Sequence, residues 1–170
     1  MSQGGSVGRY NTATGESSYI QPPAPDAKTL LRFNWNAAIA QDPFDKKTIY
    51  FGSQFLHKST NKGAAWKVIS PDLTTNDSAQ IDQTNNGGLS IDITGAENHC
   101  TIITIAPSSV QKDLIWVGTD DGNVQMTTNG GATWTNMTAN ITGLPKGAWI
   151  PQIRTSTYNA NEVFVVAKDR

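Results

Sequence analysis

Several features that would point to a definite class of protein are scarce or missing in this chain of 170 residues. A single cysteine, Cys100, excludes an internal disulfide. The formal net charge of −1 provides no basic surface for nucleic acid or for an anionic membrane. No apolar run approaches the roughly 20 residues that cross a bilayer, so membrane insertion is not expected. Residues 1–5 have neither a basic start nor an apolar core, so no signal peptide is visible.

The chain is rich in turn formers. Its fifteen glycines and eight prolines indicate many turns, as an all-β chain of short strands requires. An apolar content of 37% is enough for a packed core. One domain of ordinary size is therefore expected.

A short pattern, Ser/Thr-x-Asn-x-Gly-x-x-Trp, occurs twice, at 59–66 and 127–134. Each copy follows an apolar run that ends in glycine, at 49–52 and 115–118. A unit that recurs with its internal order intact indicates a repeat architecture, in which one unit cannot bury its own apolar face.

Aligning the two copies predicts a blade of four antiparallel strands, present in full over 33–70 and over 99–137. The predicted strands are 35–40, 48–52, 55–59 and 66–69 in the first blade, and 101–106, 114–118, 124–127 and 134–137 in the second. Residues 1–21 match only the third and fourth strands, and residues 147–168 only the first and second. We therefore predict an all-β partial β-propeller of four-stranded antiparallel blades, with two complete blades and two half blades.

The blade count favours an internal fragment of a longer protein, because closed propellers have four to eight blades. The alternative is a short standalone β-sandwich with two similar hairpins. Residues 71–98 form a long polar loop between the complete blades, in which 87–93 is predicted as an edge strand. Long loops on rigid scaffolds are often functional, although a tolerated surface insertion explains this one equally well.

Each residue type in the repeated pattern has a mechanical role. The hydroxyl and the amide bond backbone groups within the turn, the glycine takes a positive φ, and the tryptophan buries its ring and finds a carbonyl partner. The residues are Ser59, Asn61, Gly63 and Trp66 in the first copy, and Thr127, Asn129, Gly131 and Trp134 in the second. The roles are structural, and no catalysis is expected of them.

The pattern resembles the Asp-box, or BNR repeat, of sialidase-like propellers, with asparagine at the aspartate position. Arg32 to Asn36, 70–74, 94–97 and 116–122 follow in an order similar to large bacterial propeller proteins of the sortilin-like or glycosyl-hydrolase-like kind. The resemblance implies a parent protein that is longer and extracytoplasmic or secreted. It also implies that the missing blades of the parent are partners of this chain.

Glycoside hydrolysis needs two carboxylates on either side of the scissile bond. Asp92 and Glu97, in the long loop, are weak candidates. Asp120 and Asp121 lie beside a glycine in a predicted hairpin, which favours a turn role. The arginine triad of sialidases is absent, since the only arginines are Arg9, Arg32, Arg154 and Arg170.

The two histidines and the cysteine do not suggest a metal or catalytic site. His99 and Cys100 are expected to be adjacent on a strand and so to point to opposite faces, which disfavours shared ligation or Cys–His catalysis. His57 is expected to be isolated and exposed. No metal and no cofactor are predicted.

The best ligand-facing candidates are Arg32, Asn34, Trp35 and Asn36, which precede an innermost strand. Aromatic and amide groups suit sugars and peptides alike, although packing between blades is the competing interpretation. The sequence favours a non-catalytic scaffold that binds a protein, peptide or carbohydrate ligand. The alternative is a fragment of a carbohydrate-active hydrolase of the xyloglucanase-like class.

Overall fold

The computed structural model describes residues 4–82 and 98–169. These residues form twelve strands, one short helix and one 3₁₀ turn at Thr138–Asn140. In chain order the elements are β1 Gly8–Tyr10, β2 Ser17–Tyr19, β3 Ile39–Gln41, β4 Ile49–Gly52, β5 Leu56–Ser59, β6 Lys67–Val68, α1 Ser78–Ile81, β7 Ile102–Pro107, β8 Ile115–Thr119, β9 Val124–Thr127, β10 Thr135–Asn136, β11 Trp149–Thr155 and β12 Val163–Lys168.

The strands build four antiparallel sheets in sequence order, which we call blades 1 to 4. Blade 1 is the pair β1–β2 and blade 4 the pair β11–β12. Blades 2 and 3 are four-stranded meanders, β3 to β6 and β7 to β10, in which every strand pairs only with its sequence neighbours. The predicted all-β fold of two complete and two half blades is confirmed.

Consecutive blades pack against each other through their first strands. Strand β7 contacts β3 and β4 of the preceding blade, and β11 contacts β7 and β8. The inner strands thus converge, as in the radial arrangement of a propeller. The fold is a partial β-propeller in which β3, β7 and β11 lie nearest the axis.

The hydrophobic core lies between blades rather than within them. One cluster joins blades 1 and 2 around Phe33 and Phe51. A second joins blades 2 and 3 around Tyr50 and Ile102, and a third joins blades 3 and 4 around Trp116 and Ile150. Because each cluster takes side chains from two sheets, no blade completes its core alone.

Two elements of the described chain differ from the sequence prediction. The first strand of blade 2 begins at Ile39, so Trp35 lies before the strand in a bend. The loop after blade 2 contains helix α1, whose N-cap Asp77 accepts a hydrogen bond from Ala79 N. The edge strand predicted at 87–93 lies outside the described residues.

Within 4–82 and 98–169 no helix has the length and apolarity to traverse a bilayer.

Candidate functional site

The two repeated hairpins, 59–66 and 127–134, close by the same internal hydrogen bonds. The Ser59 hydroxyl accepts from Gly63 N at 2.8 Å, and Asn61 Oδ1 accepts from Ala65 N at 2.8 Å. The second copy repeats the arrangement, with Gly131 N on the Thr127 hydroxyl at 3.0 Å and Thr133 N on Asn129 Oδ1 at 2.9 Å. Asparagine supplies the side-chain acceptor that an aspartate would supply, without its charge.

Both hairpin tryptophans reach beyond their own blade. Trp66 Nε1 donates to the carbonyl of Ile20, at the end of blade 1, at 2.8 Å. Trp134 Nε1 donates to the carbonyl of Ile69, at the end of blade 2, at 2.9 Å. Each hairpin therefore attaches its blade to the fourth strand of the preceding one. The repeated hairpin therefore holds two consecutive blades together.

A buried polar cluster lies where the hairpin between β8 and β9 meets blade 2. Asp120 is 0% exposed and accepts from Asn34 Nδ2 at 2.9 Å, Thr101 Oγ1 at 2.7 Å and Thr101 N at 2.8 Å. Burial raises the pKa of Asp120 to about 6, against the opposing effect of these donors. Since its oxygens are occupied by protein donors, this carboxyl acts as a tie between blades.

Asp121 makes a parallel tie to the segment that follows blade 2. Its Oδ2 accepts from Thr75 N at 2.6 Å and from the Thr75 hydroxyl at 2.8 Å. Its Oδ1 accepts from the Thr119 hydroxyl at 2.5 Å. Both carboxylates of the hairpin are buried and hydrogen-bonded, which agrees with the turn role expected from their spacing.

Two of the ligand-binding candidates are engaged inside the protein. Arg32 Nη2 lies 2.8 Å from Asp72 Oδ2, and Arg32 Nε donates to the Cys100 carbonyl at 3.2 Å. Asn34 is buried and donates to Asp120. The other two candidates are exposed, Trp35 with 45% of its surface and Asn36 beside it. The structure does not bring the four side chains together on one surface, and their ligand-binding role stays a prediction.

The geometry expected for His99 and Cys100 was wrong. Both residues are buried and precede β7, and Cys100 has a left-handed backbone with φ of 57°. The bend brings Cys100 Sγ to 3.7 Å from His99 Nδ1, so the two side chains do not point apart. Burial, with the Asp121 charge, raises the pKa of the Cys100 thiol to about 12, which keeps it a thiol rather than a nucleophilic thiolate.

His57 was expected to be exposed and is 0% exposed. Its Nε2 lies 2.8 Å from the Ser53 hydroxyl, and its Nδ1 has no partner among the described residues. Burial lowers the pKa of His57 to about 4, so the ring is neutral at pH 7. Among the described residues no group of His, Cys, Asp and Glu could hold a metal ion. The weak catalytic candidates Asp92 and Glu97 lie outside the described residues.

An open groove of about 660 Å³ runs across the inner strands of three consecutive blades. It is lined by Gln41, Pro43, Thr104, Ile105, Ala106, Pro107, Ser109, Pro151, Gln152, Ile153, Arg154, Thr155, Thr157 and Val166. Among these described lining residues Arg154 has the only charged side chain, and it is exposed. The groove wall thus carries hydroxyl groups, amide groups, prolines and one guanidinium, a combination that suits an extended polar ligand.

Sequence reasoning missed this groove because it searched for aromatic and charged residues before β3. Gln41 and Pro43 lie at the other end of that strand. The signal was available in the alignment of blades. The first strand of each propeller blade lines the central channel. The channel-facing residues of β3, β7 and β11 therefore form one surface.

Comparison with solved structures finds partial matches at low identity. The GH74 xyloglucanase from Xanthomonas campestris matches 76% of this chain over 17% of its own, with 16% identity and a TM-score of 0.46. YCF48 from Cyanidioschyzon merolae matches 78% over 32% of its own, with 13% identity and a TM-score of 0.43. The GH74 enzyme from Niastella koreensis matches 96% over 38% of its own, with 15% identity and a TM-score of 0.29.

The chain thus spans less than two fifths of the length of each of these three proteins. No protein-family model matches it, and no curated protein is significantly similar to it in sequence. The assignment of the fold therefore rests on the arrangement of strands in this structure and not on similarity to another protein.

Proposed function

We propose that this chain is a non-catalytic scaffold within a larger exported propeller protein, and that it binds a protein, peptide or glycan segment along the inner-strand groove. The observation that supports the proposal is the groove itself, which spans β3, β7 and β11. A surface shared by three blades gives a long, shallow site of the kind that suits an extended chain.

The chemistry of the groove favours a ligand with a carboxylate. Arg154 presents five N–H donors in a planar fork that matches a carboxylate. Thr104, on the neighbouring inner strand β7, adds a hydroxyl, and Gln152, two residues before Arg154 on β11, adds an amide. Exposed Trp35 and Asn36, which precede β3, are proposed as a separate contact beyond the groove.

The alternative, a fragment of a xyloglucanase-like hydrolase, requires two carboxyl groups facing each other about 5 to 10 Å apart on a substrate surface. Asp120, whose pKa is raised to about 6, resembles a general acid in that respect alone. It is 0% exposed and bonded to Asn34 and Thr101, so no substrate reaches it. The binding role is therefore the better-supported proposal.

An NMR titration of the 15N-labelled chain tests the proposal. The probes are an acidic hexapeptide, the same peptide with amides in place of its carboxylates, and a xyloglucan oligosaccharide. We expect the acidic peptide to shift amides of Thr104, Gln152 and Arg154, and Arg154→Ala to weaken its binding about tenfold, as loss of a charged hydrogen bond predicts. Lys28→Ala, which removes an exposed charge outside the groove, is the matched control.

Groove amides that do not respond to any of the three probes would contradict the proposal. Cleavage of the oligosaccharide would support the hydrolase alternative instead.

A further inference from the structure

The turn between the first and the second strand is built in the same way in blades 2, 3 and 4. These turns, which we call the inner turns, are residues 42–48, 108–114 and 156–162. In each turn the N–H of the first residue donates to the carbonyl of the seventh, and the bonds run from Asp42 to Thr48, from Ser108 to Leu114 and from Ser156 to Glu162. The inner turns are therefore equivalent parts of three consecutive blades.

The side chain of the first residue closes each inner turn from within. It accepts hydrogen bonds from the backbone N–H groups of the third and the fourth residue, and the accepting atoms are Asp42 Oδ1, Ser108 Oγ and Ser156 Oγ. The N–H of the seventh residue then donates to the carbonyl of the fourth in all three turns. The side chain at the third residue is therefore not needed to close the turn.

Each inner turn nevertheless exposes an apolar side chain at its third residue. Phe44 is 50% exposed, Val110 40% and Tyr158 94%. Turn positions ordinarily hold Gly, Asn, Asp or Ser, for reasons of backbone conformation and hydrogen bonding. A single exposed apolar residue is common on a protein surface, but three at one position of three consecutive blades form a row.

This apolar row borders the inner-strand groove. The second residues of the inner turns, Pro43, Ser109 and Thr157, all line the groove. Phe44, Val110 and Tyr158 directly follow them in the chain. A ligand that lies along the groove can therefore place side chains against all three members of the row.

The charge of the groove lies at one end of the row. Arg154 has the only charged side chain among the described lining residues, and it precedes the inner turn of blade 4 by two residues. A ligand carboxylate that pairs with this guanidinium is therefore expected beside Tyr158 rather than beside Phe44.

The spacing of the row limits the conformation of the ligand. Stacked β-sheets lie about 10 Å apart, so the inner turns of neighbouring blades are expected at about that spacing. A polyproline II segment has about 3 residues per turn and rises about 3.1 Å per residue, so every third side chain lies on the same side, about 9 Å from the last. Every second side chain of a β-strand recurs after only about 7 Å. The row therefore matches a period of three residues better than a period of two.

We propose that the ligand of the groove is an extended acidic peptide segment of a partner protein, with an apolar side chain at every third residue. These side chains contact Phe44, Val110 and Tyr158, and a carboxylate at the Tyr158 end binds Arg154. The inference rests on the proposed binding role of the groove, and it narrows the ligand from a protein, peptide or glycan to one kind of peptide.

Isothermal titration calorimetry of the full chain with three synthetic peptides tests the period. The first peptide consists of three Leu-Glu-Pro units. The second has the same composition with its leucines at every second position, and the third has alanine in place of each leucine of the first. We expect the first peptide to bind more than about tenfold more tightly than either of the others, because only its leucines bury apolar surface against the whole row.

A double variant of the protein, Phe44→Ser with Tyr158→Ser, tests the row itself. Both side chains are exposed, so the fold should be retained, and circular dichroism checks this. We expect the double variant to bind the first peptide more than about tenfold more weakly and the alanine peptide as the unmodified chain does. Leu30→Ser removes an apolar side chain that is 85% exposed and lies outside the inner turns, and as the matched control it should bind like the unmodified chain.

Equal affinity for the two leucine peptides, or undiminished binding by the double variant, would overturn the inference. If the acidic hexapeptide still binds at Arg154 in either case, the proposed function stands without it. Tighter binding of the xyloglucan oligosaccharide than of any peptide would also overturn the inference, and the groove would then be a glycan site. A chain that binds none of these probes would contradict both proposals.

Discussion

Trp134 combines a packed ring with a hydrogen bond that crosses between blades. The ring packs against the cluster that joins blades 2 and 3, and the indole N–H donates to Ile69 O at 2.9 Å. At this site burial and hydrogen bonding act on the same pair of blades. Its removal therefore loosens an interface as well as a hairpin.

We expect Trp134→Ala to lower the free energy of unfolding by about 3 kcal/mol, from lost burial and a residual cavity. Trp134→Phe keeps a ring but removes the donor, and should cost about 1 kcal/mol. Chemical denaturation monitored by circular dichroism measures both. Trp35→Ala, at an exposed tryptophan, is the matched control and should be close to neutral. A loss below about 1 kcal/mol for Trp134→Ala would contradict the role of Trp134 in holding blades 2 and 3 together.

Asp120 makes the stability of the protein depend on pH. Because burial raises its pKa from 3.8 to about 6, the folded state holds a proton that the unfolded state has released. The stabilising contribution is therefore complete below about pH 4 and is lost as pH rises to about 6.

The lowered pKa of buried His57 acts in the opposite direction between about pH 4 and 6.5, so we expect the free energy of unfolding to rise with pH more steeply in Asp120→Asn than in the unmodified protein, by up to about 1.4 kcal/mol per pH unit. Denaturation curves at closely spaced pH values measure this. Glu16→Gln, at an exposed carboxyl, should retain the wild-type slope. The same slope in Asp120→Asn would assign the pH dependence to another group.

At the scale of the elements, the second strand of each full blade has a glycine at its last or second-last residue, where the next blade approaches closely. A Cβ at Gly52 would lie 2.7 Å from Ile102 Cγ2, and one at Gly118 would lie 2.5 Å from Ile150 Cγ2. Ordinary contacts of this kind are longer than 3.4 Å. The glycines are thus required by the close approach of consecutive sheets.

Gly118→Ala should destabilise the protein by about 1 to 3 kcal/mol, because it overpacks the interface between blades 3 and 4. Thermal or chemical denaturation measures the loss. If the two side chains compete for one space, Gly118→Ala should cost less in a protein that already carries Ile150→Ala than in the unmodified protein. Gly8→Ala is the control, since its Cβ meets only Ser18 O at 3.6 Å. An equal effect at both glycines would argue against close packing at Gly118.

The strands were predictable because their signals are local. Apolar runs that end in glycine, and hairpins with Asn, Gly and Trp at fixed offsets, placed β4, β5, β8 and β9 to within one residue. The burial of His57 was not predictable, because Leu56, His57 and Ser59 are all buried and β5 lacks the alternation of a half-exposed strand. The left-handed turn at Cys100 depends on contacts with the segment after blade 2.

The candidate site was less accessible to sequence reasoning than the fold. Arg32 and Asn34 look like ligand-binding residues by type, yet their partners, Asp72 and Asp120, are 40 and 86 residues away in the chain. Such pairings follow from how blades are placed side by side. The groove has the same origin, because each inner strand contributes only a few ordinary polar residues to it.

At the scale of the whole molecule, the hydrophobic clusters and the side-chain ties described above join one blade to the next. The three hydrophobic clusters, the two tryptophan donors and the Asp120 and Asp121 ties all cross between sheets. A repeat protein of this kind gains its stability from the interfaces between units. The central claim is therefore that two equivalent four-stranded sheets stand side by side around one axis.

Methyl-resolved NOE spectroscopy tests that claim most directly. Since the missing Cβ of each glycine points at an isoleucine methyl, we predict strong NOEs from Gly52 Hα to Ile102 Hγ2 and from Gly118 Hα to Ile150 Hγ2. Both cross-peaks together would require the same packing at two successive interfaces. Absence of both, or backbone NOEs that join β3–β6 and β7–β10 into one continuous sheet, would contradict the account.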